Sequence, residues 1–266
     1  MIAVKKIIII AQIIFFGVGY LIFARLSDAN AQAGQAEGLT GQEIIKRQDD
    51  LMRGNSLQGR YSMTVVTPDW ERTLELDVYE TGRDNTFIRI VSPAKEAGTA
   101  TLRVKENMWN YLPTVERTIK IPPSMMLQAW MGSDFANDDL VKESSIINDY
   151  THNILGEEMV DGNSAYKVEL IPKPQAAVTW GKLIMLVRKD DFVPLREEYY
   201  REGGKLIKVL KFSEIKKMSD REIPTRWEMT PFNKEGCKSV IKVVNVEYNQ
   251  PVDSGFFTLE NLKKAR

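Results

Sequence analysis

The residues that could carry out acid–base or metal chemistry are few and poorly placed. The chain has one histidine, His152, and a histidine without a partner cluster is typical of a surface or hydrogen-bonded side chain. Carboxylate pairs occur at Asp138-Asp139, Glu157-Glu158 and Glu197-Glu198, but neighbouring residues on a strand point to opposite faces. The sequence also contains no phosphate loop, CxxC motif or nucleophile elbow. We therefore expect a protein that is not an enzyme and has no cofactor or metal site.

Two further features indicate structural rather than reactive side chains. The single cysteine, Cys237, cannot form an intramolecular disulfide and lies in a predicted turn before a strand, where a structural role is expected. Asp138-Asp139 follow Asn137 and are typical of the acidic first turn of a short helix, where carboxylates complement the helix dipole. Neither feature predicts a reactive group.

A short segment between Pro122 and Gly132 is apolar almost all round. The proline suits a first helical turn and the glycine suits a helix end, so the sequence predicts one or two turns of helix. A helix this short needs tertiary contacts for stability. Two interpretations stay open at this point: a small core helix that plugs the end of a sheet, and a lid over an apolar pocket.

The first residues predict export from the cytoplasm. Two lysines precede an apolar run over residues 7–23, and a polar stretch with Ala31 and Ala33 follows, which is the order of a secretory signal peptide. We expect cleavage after Ala31 or Ala33, so that residues 1–33 form the signal peptide and residues 34–266 form one domain. The apolar run is almost long enough to span a bilayer, and an uncleaved inner-membrane anchor is the alternative.

The charge balance argues against nucleic-acid binding. The formal net charge is +0, and removal of residues 1–33, which carry +2, leaves −2. Nucleic-acid-binding domains carry a strong excess of positive charge. We therefore expect no nucleic-acid partner.

One amphipathic helix is predicted after the signal peptide. Thr40 and Glu43 have the spacing of a capping box, and Gly54 suits the end of the helix. Residues at helical spacing share one face: Ile44, Ile45, Gln48, Leu51 and Met52. This face is expected to pack against the rest of the domain.

Most of the remaining chain alternates between apolar and polar residues with period two. In residues 70–79, Leu74 and Val78 share one face while Glu75 lies on the other, as in a half-buried antiparallel strand. Turn residues such as Gly203-Gly204 separate the runs at hairpin spacing. The sequence predicts a mainly β (α+β) fold, with one curved antiparallel sheet of about ten or eleven strands, open or closed as a barrel, and helical pieces on its concave side.

The stretch from Trp109 to Leu140 carries a family resemblance. It contains the block YLP..ERTIKIPPSMM...WMGSDFANDDL, in which WMGSDF followed by NDDL is the most specific part. Together with the signal peptide, the first helix and the long meander, this block resembles the LolA-like outer-membrane lipoprotein-sorting proteins over essentially the whole mature chain. The resemblance implies an unclosed β-barrel with a helical lid over a hydrophobic cavity.

The resemblance also implies a function. Members of this fold hold a lipid or the acyl chains of a lipoprotein, so a periplasmic carrier that shuttles such cargo towards the outer membrane is expected. An inner-membrane transporter or lipid exporter would be the donor, and an outer-membrane component the acceptor. The alternative is a periplasmic lipid-sensing regulator that binds a membrane signalling partner.

Site residues follow from the same resemblance. Of the two faces of the strand around Trp109, we assign the one with Trp109 and Tyr111 to the cavity, and the one with Met108 and Leu112 to the other side. The expected lipid-binding wall is Leu74, Leu76, Val78, Leu102, Val104, Trp109 and Tyr111, and the expected lid is Met125, Met126, Leu127, Trp130 and Met131. An ordinary packed core is the alternative for each of them.

An arginine has a role in the family's carriers, where it donates hydrogen bonds to backbone carbonyls of the lid. Arg117 is the candidate for this role in the present chain. Because Glu116 and Lys120 also suit a solvated face, an exposed strand arginine is the alternative.

Overall fold

A computed structural model describes residues 38–142, 146–174, 176 and 180–264. Residues 1–33, for which the sequence predicts a signal peptide, lie outside the described residues. Thr40–Arg266 form one compact unit. In the described part of the chain, no helix is long and apolar enough to cross a membrane.

Helix α1, Gly41–Arg53, begins at the predicted capping box. The Thr40 hydroxyl accepts a hydrogen bond from the Glu43 backbone N–H at 3.2 Å, and the Glu43 carboxylate accepts one from the Thr40 backbone N–H at 2.8 Å. Gly54 ends the helix with a φ of 62°, a conformation that glycine adopts without steric cost. The predicted helix and its caps are therefore confirmed.

The described residues contain 13 β-strands, which form one antiparallel sheet. Their bounds are β1 Ser56–Val66, β2 Glu71–Thr81, β3 Asn85–Ser92, β4 Ala100–Val104, β5 Asn107–Leu112, β6 Arg117–Lys120, β7 Tyr150–Val160, β8 Asn163–Pro172, β9 Lys182–Arg188, β10 Pro194–Tyr200, β11 Leu206–Met218, β12 Arg221–Pro231 and β13 Lys238–Tyr248. Two meanders, β1 to β6 and β7 to β13, meet where β1 pairs with β13. In this part of the chain β6 and β7 are the free edges, so the sheet is open and the predicted unclosed fold is confirmed.

The sheet has more strands than the ten or eleven expected. The alternation of apolar and polar residues predicts eleven of these strands, β2 to β6 and β8 to β13. It does not predict β1 and β7. In β1, Gly59 interrupts the inward apolar series of Leu57, Tyr61, Met63 and Val65, and the extra residue at its register shift, Val244, lies in the partner strand β13. In β7, Leu155 is the extra residue at the shift between Ile154 and Gly156. A glycine leaves a gap in an apolar series and an extra residue reverses the alternation along its own strand, so both weaken a period-two pattern.

Residues 122–136, referred to below as the strap, depart from the predicted helix. The strap contains two short 3₁₀ turns, Pro123–Met125 and Trp130–Gly132. Met131 has a left-handed φ of 48°, which interrupts helical geometry. The Trp130 backbone N–H donates to the Phe135 carbonyl at 2.7 Å, so the chain folds back as a loop. The expectation of a lid helix in this segment is wrong for that reason.

Helix α2, Asn137–Lys142, follows the strap directly. Asp138 and Asp139 lie in its first turn, as predicted. The Ala136 N–H donates to the Asp139 carboxylate at 2.7 Å, and Asp138 is buried. The first turn of α2 therefore faces the interior, which the sequence does not indicate.

The C-terminal residues cover part of one face of the sheet. They form a 3₁₀ helix, Ser254–Phe257, and a short helix α3, Leu259–Leu262. Phe256 stacks on Tyr79 with 4.0 Å between ring centroids, and Leu262 is buried in a cluster with Phe87. Strands β3 and β4 are buried on both faces. The C-terminal residues are what buries one of these two faces.

Candidate ligand cavity

A cavity of about 180 Å³ is lined by residues of helix α1, one face of the sheet, the strap and α2. Eight aromatic side chains form part of its wall: Tyr61, Trp130, Phe135, Tyr150, Trp180, Tyr199, Phe212 and Trp227. Aliphatic side chains and methionines form most of the rest: Met52, Leu57, Leu76, Val78, Ile88, Ile146, Leu183, Met185, Leu210 and Ile241. The wall is therefore suited to an apolar ligand.

Aromatic pairs fix the shape of this wall. Trp227 lies 6.0 Å from Tyr61 and 6.1 Å from Phe212, and both pairs are edge to face. Trp180 and Tyr199 form a third such pair at 5.3 Å. Pairs of this geometry contribute roughly 0.5–1.5 kcal/mol each beyond their buried area. The rings thus hold each other in place around the cavity.

Ion pairs fasten the C-terminal end of α1 to the sheet beside the cavity. Arg53 donates to Asp49 and to Glu80, at 3.0 Å in each case. Arg83 also donates to Asp49, at 2.6 Å. Arg53 and Asp49 are both buried, and removal of either would leave an uncompensated charge. This network makes α1 a fixed part of the wall.

A second charged group of residues surrounds Lys208. Its ammonium pairs with Asp139 and lies 4.9 Å from the ring centroids of both Trp180 and Tyr199. The Tyr199 hydroxyl donates to the Glu197 carboxylate at 2.6 Å. Lys208 is 4% exposed, so the carboxylate and the two ring faces replace the water around its charge.

Two other titratable side chains, Tyr150 and His152, have pKa values shifted by burial. Burial raises the pKa of Tyr150, and the negative charges of Asp138 and Asp149 raise it further, so its phenol stays neutral. Burial lowers the pKa of His152, whose Nε2 lies 2.9 Å from the Ile146 carbonyl oxygen. The interpretation of His152 as a hydrogen-bonded side chain is confirmed.

The size of the cavity limits what it holds in this conformation. An apolar cavity of roughly 150 Å³ takes up benzene, and drug-sized ligands need about 300 Å³ or more. At about 180 Å³, the cavity accommodates a ring or a short stretch of acyl chain. A longer chain enters only if the wall moves.

Comparisons with known proteins identify the family. A family model described as "Uncharacterized protein" matches residues 82–264, more than half of the chain. A DUF1329 family protein from Desulfovibrio piger is 26% identical with a TM-score of 0.76, and the match covers 84% of this chain and 97% of that one. A LolA superfamily protein from Nitrosomonas europaea is 25% identical with a TM-score of 0.71, covering 84% of this chain and 100% of that one. The chain belongs to the LolA-like family.

One further structure shares the LolA-like fold. A domain from Vibrio parahaemolyticus that is assigned to outer-membrane lipoprotein sorting is 22% identical with a TM-score of 0.75, and the match covers 84% of this chain and 98% of that one. None of the curated proteins matches the chain. The family assignment thus comes from the family model and the solved structures.

Three of the residues expected from the sequence line the cavity of this LolA-like domain. Leu76 and Val78 of β2 and Trp130 of the strap belong to its wall. Leu74 is fully buried on the same face of β2 but is not part of the wall. The apolar face of β2, with Leu74, Leu76 and Val78, therefore points towards the interior, as its alternation predicts.

Four other expected residues lie on the opposite face of the sheet. Leu102 belongs to the buried cluster with Phe87 and Leu262, and Val104, Trp109 and Tyr111 pack against it. The Trp130 indole N–H donates to the Thr101 hydroxyl at 3.0 Å, so the Thr101 side of β4 faces the strap. The choice of the Trp109 face is thus corrected: Met108, which pairs with Arg103 on the Thr101 side, lies on the inner face.

The other residues expected in the lid stay outside the cavity wall. Leu127 is 52% exposed, and Met125, Met126 and Met131 are half-buried. Of the described strap residues, Trp130 and Phe135 line the cavity. In this conformation the strap contributes two aromatic rings to the wall rather than an apolar helix.

The arginine that holds the strap is Arg72, not Arg117. An Arg72 Nη2–H donates to the Met131 carbonyl at 2.5 Å, and its Nη1 lies 3.1 Å from the Glu96 carboxylate. Arg117 is exposed on the edge strand β6. The contact expected of the family's arginine therefore exists, but another strand provides it.

Replacement of Arg72 by alanine is expected to lower the free energy of unfolding by about 1–3 kcal/mol, because a charged hydrogen bond to the strap and an ion pair are lost together. Urea unfolding followed by tryptophan fluorescence measures the change. Arg117→Ala is the matched control and should change stability by less than about 0.5 kcal/mol. Equal effects of the two variants would show that Arg72 does not hold the strap.

Proposed function

We propose that this LolA-like protein is a carrier that binds the acyl chains of a lipid or of a lipoprotein in the cavity. The observation that carries the proposal is the aromatic, apolar cavity, part of whose wall is the strap. The relatives of the same fold support it, since one is a LolA superfamily protein and another is assigned to outer-membrane lipoprotein sorting.

The proposed acyl-chain site combines expected and newly found residues. It comprises Leu76, Val78, Trp130, Tyr61, Phe212 and Trp227. Transfer of an acyl chain from water to such a wall is favourable by about 0.8 kcal/mol per buried methylene. A soluble carrier therefore gains affinity with each methylene that it covers, and the present volume covers only part of a chain.

The strap is the part of the wall that we expect to move. Side-chain contacts join it to the rest of the domain at three of its residues: Arg72 donates to the Met131 carbonyl, Trp130 donates to Thr101, and Asp134 contacts Ser239, Lys208 and Lys234. Helix α1, by contrast, is fastened by buried ion pairs. Withdrawal of Trp130 would open the cavity, and the half-buried methionines at 125, 126 and 131 with Leu127 would then contact the part of the chain that extends outwards.

We place the carrier in the periplasm, between a donor at the inner membrane and an acceptor at the outer membrane. The N-terminal sequence pattern supports export, and the relatives' assignment to lipoprotein sorting supports the direction. An inner-membrane transporter or lipid exporter fits as donor. A lipid-sensing regulator would bind the same ligand and retain it in the presence of acceptor membranes.

The full chain, recovered from the periplasm of expressing cells, is expected to contain lipid that mass spectrometry detects in an organic extract. The delipidated protein should enhance the fluorescence of an apolar dye. Val78→Trp, which fills the cavity, should weaken dye binding by about tenfold or more. Thr73→Trp adds the same ring to an exposed position of β2 and should leave dye binding unchanged.

Two results would contradict the proposal. The first is protein that is reproducibly empty and also fails to enhance dye fluorescence. The second is equal loss of dye binding in the two tryptophan variants, which would place the dye outside the cavity. Transfer of bound lipid to acceptor vesicles then separates a carrier from a regulator, because only the carrier releases its ligand.

A further inference from the structure

Two turns at one end of the sheet each expose a large aromatic side chain. Trp70 ends the turn between β1 and β2, residues 67–70, and is 47% exposed. Phe232 begins the turn between β12 and β13, residues 232–237, and is 62% exposed. Both rings are held in water, although burial of such a ring is strongly favourable.

The two turns, referred to below as the paired turns, lie side by side. β1 pairs with β13, and Val66 lies opposite Lys238 where the first turn begins and the second ends. A Cβ atom at Gly236 would lie only 3.1 Å from the side chain of Pro68. A single exposed apolar residue is ordinary on a protein surface, whereas neighbouring ones mark a surface of contact.

The strap is joined to both of the paired turns. The Arg72 guanidinium lies 5.8 Å from the centroid of the Trp70 ring and donates to the Met131 carbonyl of the strap. In the second turn, the Lys234 ammonium lies 3.5 Å from the Asp134 carboxylate of the strap. The exposed rings therefore lie beside the part of the cavity wall that we expect to move.

Area and charge decide which kind of partner fits. An aromatic side chain buries roughly 150–250 Å² in full, so at these exposures the two rings offer less than about 300 Å², whereas a stable protein interface takes about 800 Å² from each partner. Residues 67–72 and 232–238 contain three acids and three bases, so no net charge selects an acidic or a basic partner. Rings at the tips of turns suit the interface of a bilayer, where aromatic side chains are favoured.

We propose that the paired turns dock the protein on the surface of a zwitterionic lipid bilayer, with the rings of Trp70 and Phe232 in the headgroup region. The choice of a bilayer rests on the proposed carrier function, because an acyl chain enters and leaves such a carrier at a membrane. Neither ring belongs to the cavity wall that the described residues form, so docking and ligand binding use separate surfaces. Docking at this end brings the strap to the bilayer.

Flotation with protein-free phosphatidylcholine vesicles tests this docking. The soluble protein recovered from the periplasm, after delipidation, is expected to float with the vesicles. Trp70→Ala and Phe232→Ala should each weaken binding by about fivefold or more, because each removes a ring from the interface. Both side chains are exposed, so unfolding of the variants in urea should match that of the unmodified protein.

An exposed apolar residue far from the paired turns provides the matched control. Met159 is 66% exposed on the edge strand β7, and Met159→Ala should leave vesicle binding unchanged. Ionic strength separates insertion of rings from attraction between charges. Binding should change by less than about twofold between about 50 and 500 mM NaCl, or when about a fifth of the lipid is anionic phosphatidylglycerol.

Three results would overturn docking on a bilayer. The first is a failure of the unmodified protein to float, and the second is that Trp70→Ala and Phe232→Ala float as well as Met159→Ala. The third is flotation only with vesicles that contain membrane proteins, which would identify a protein as the partner. Dye binding is measured in parallel: dye binding without flotation rejects docking and leaves the carrier function standing, and flotation without dye binding rejects the carrier function and leaves docking standing.

Discussion

Replacement of Trp130 by alanine is expected to lower the free energy of unfolding by about 3–5 kcal/mol and to weaken dye or lipid binding by more than about tenfold. Trp130 is 2% exposed, lines the cavity and donates to Thr101. Alanine removes the ring that closes the cavity and the donor that the Thr101 hydroxyl receives. Urea unfolding and dye titration measure the two effects separately.

Two controls distinguish the causes of these losses. Trp130→Phe keeps most of the ring and removes the N–H, so we expect a cost of about 1 kcal/mol. Trp109→Ala removes a half-buried tryptophan from the opposite face and should leave ligand binding unchanged. A core plug predicts only the loss of stability, whereas a lid predicts both losses. Unchanged binding by a folded Trp130→Ala protein would therefore contradict the lid.

The fold could be predicted from the sequence because its signals are local. The capping box at Thr40 and Glu43 needs residues three positions apart, and period-two alternation shows itself within a single strand. β1 and β7 are harder to recognise, since Gly59 leaves a gap in the apolar face of β1 and the extra residue Leu155 shifts the register within β7. Local patterns therefore fix which elements form, except where a glycine or a bulge interrupts them.

The face of a strand that borders the cavity could not be predicted in the same way. β4 has apolar side chains on one face and Thr101 and Arg103 on the other, but its apolar face lies away from the cavity, because Phe256 and Leu262, far along the chain, cover it. Alternation shows that the two faces of a strand differ in polarity. It does not show which part of the protein packs against each face. The pattern that predicts Trp109 in the cavity therefore suits a packed cluster equally well.

The polar contacts of the cavity were missed for a related reason. Lys208 reaches Asp139 across 69 positions and Arg72 reaches Met131 across 59. In the sequence, Lys208 is one cation of an alternating strand and Arg72 is one residue of another. A useful signal existed in the Asn137-Asp138-Asp139 turn beside the strap, where acids next to an apolar segment indicate a cationic partner.

The pair of Lys208 and Asp139 carries the second large prediction. Lys208→Met is expected to lower the free energy of unfolding by about 3–5 kcal/mol, because the Asp139 carboxylate would stay buried without its counter-charge. The ring faces of Trp180 and Tyr199 would also lose their cation. Lys234→Met is the control: Lys234 is half exposed and lies 3.5 Å from Asp134, so its loss should change stability by less than about 0.5 kcal/mol.

The double variant Lys208→Met with Asp139→Asn decides whether charge is the cause. The asparagine oxygen can still accept the Ala136 N–H, and no buried charge remains, so the double variant should be more stable than Lys208→Met alone by about 2 kcal/mol or more. Additive losses would instead mean that packing of the lysine stem, not its charge, holds α2 against β11. Because α2 begins where the strap ends, loss of this pair should also loosen the strap, and faster release of bound dye by Lys208→Met measures that coupling.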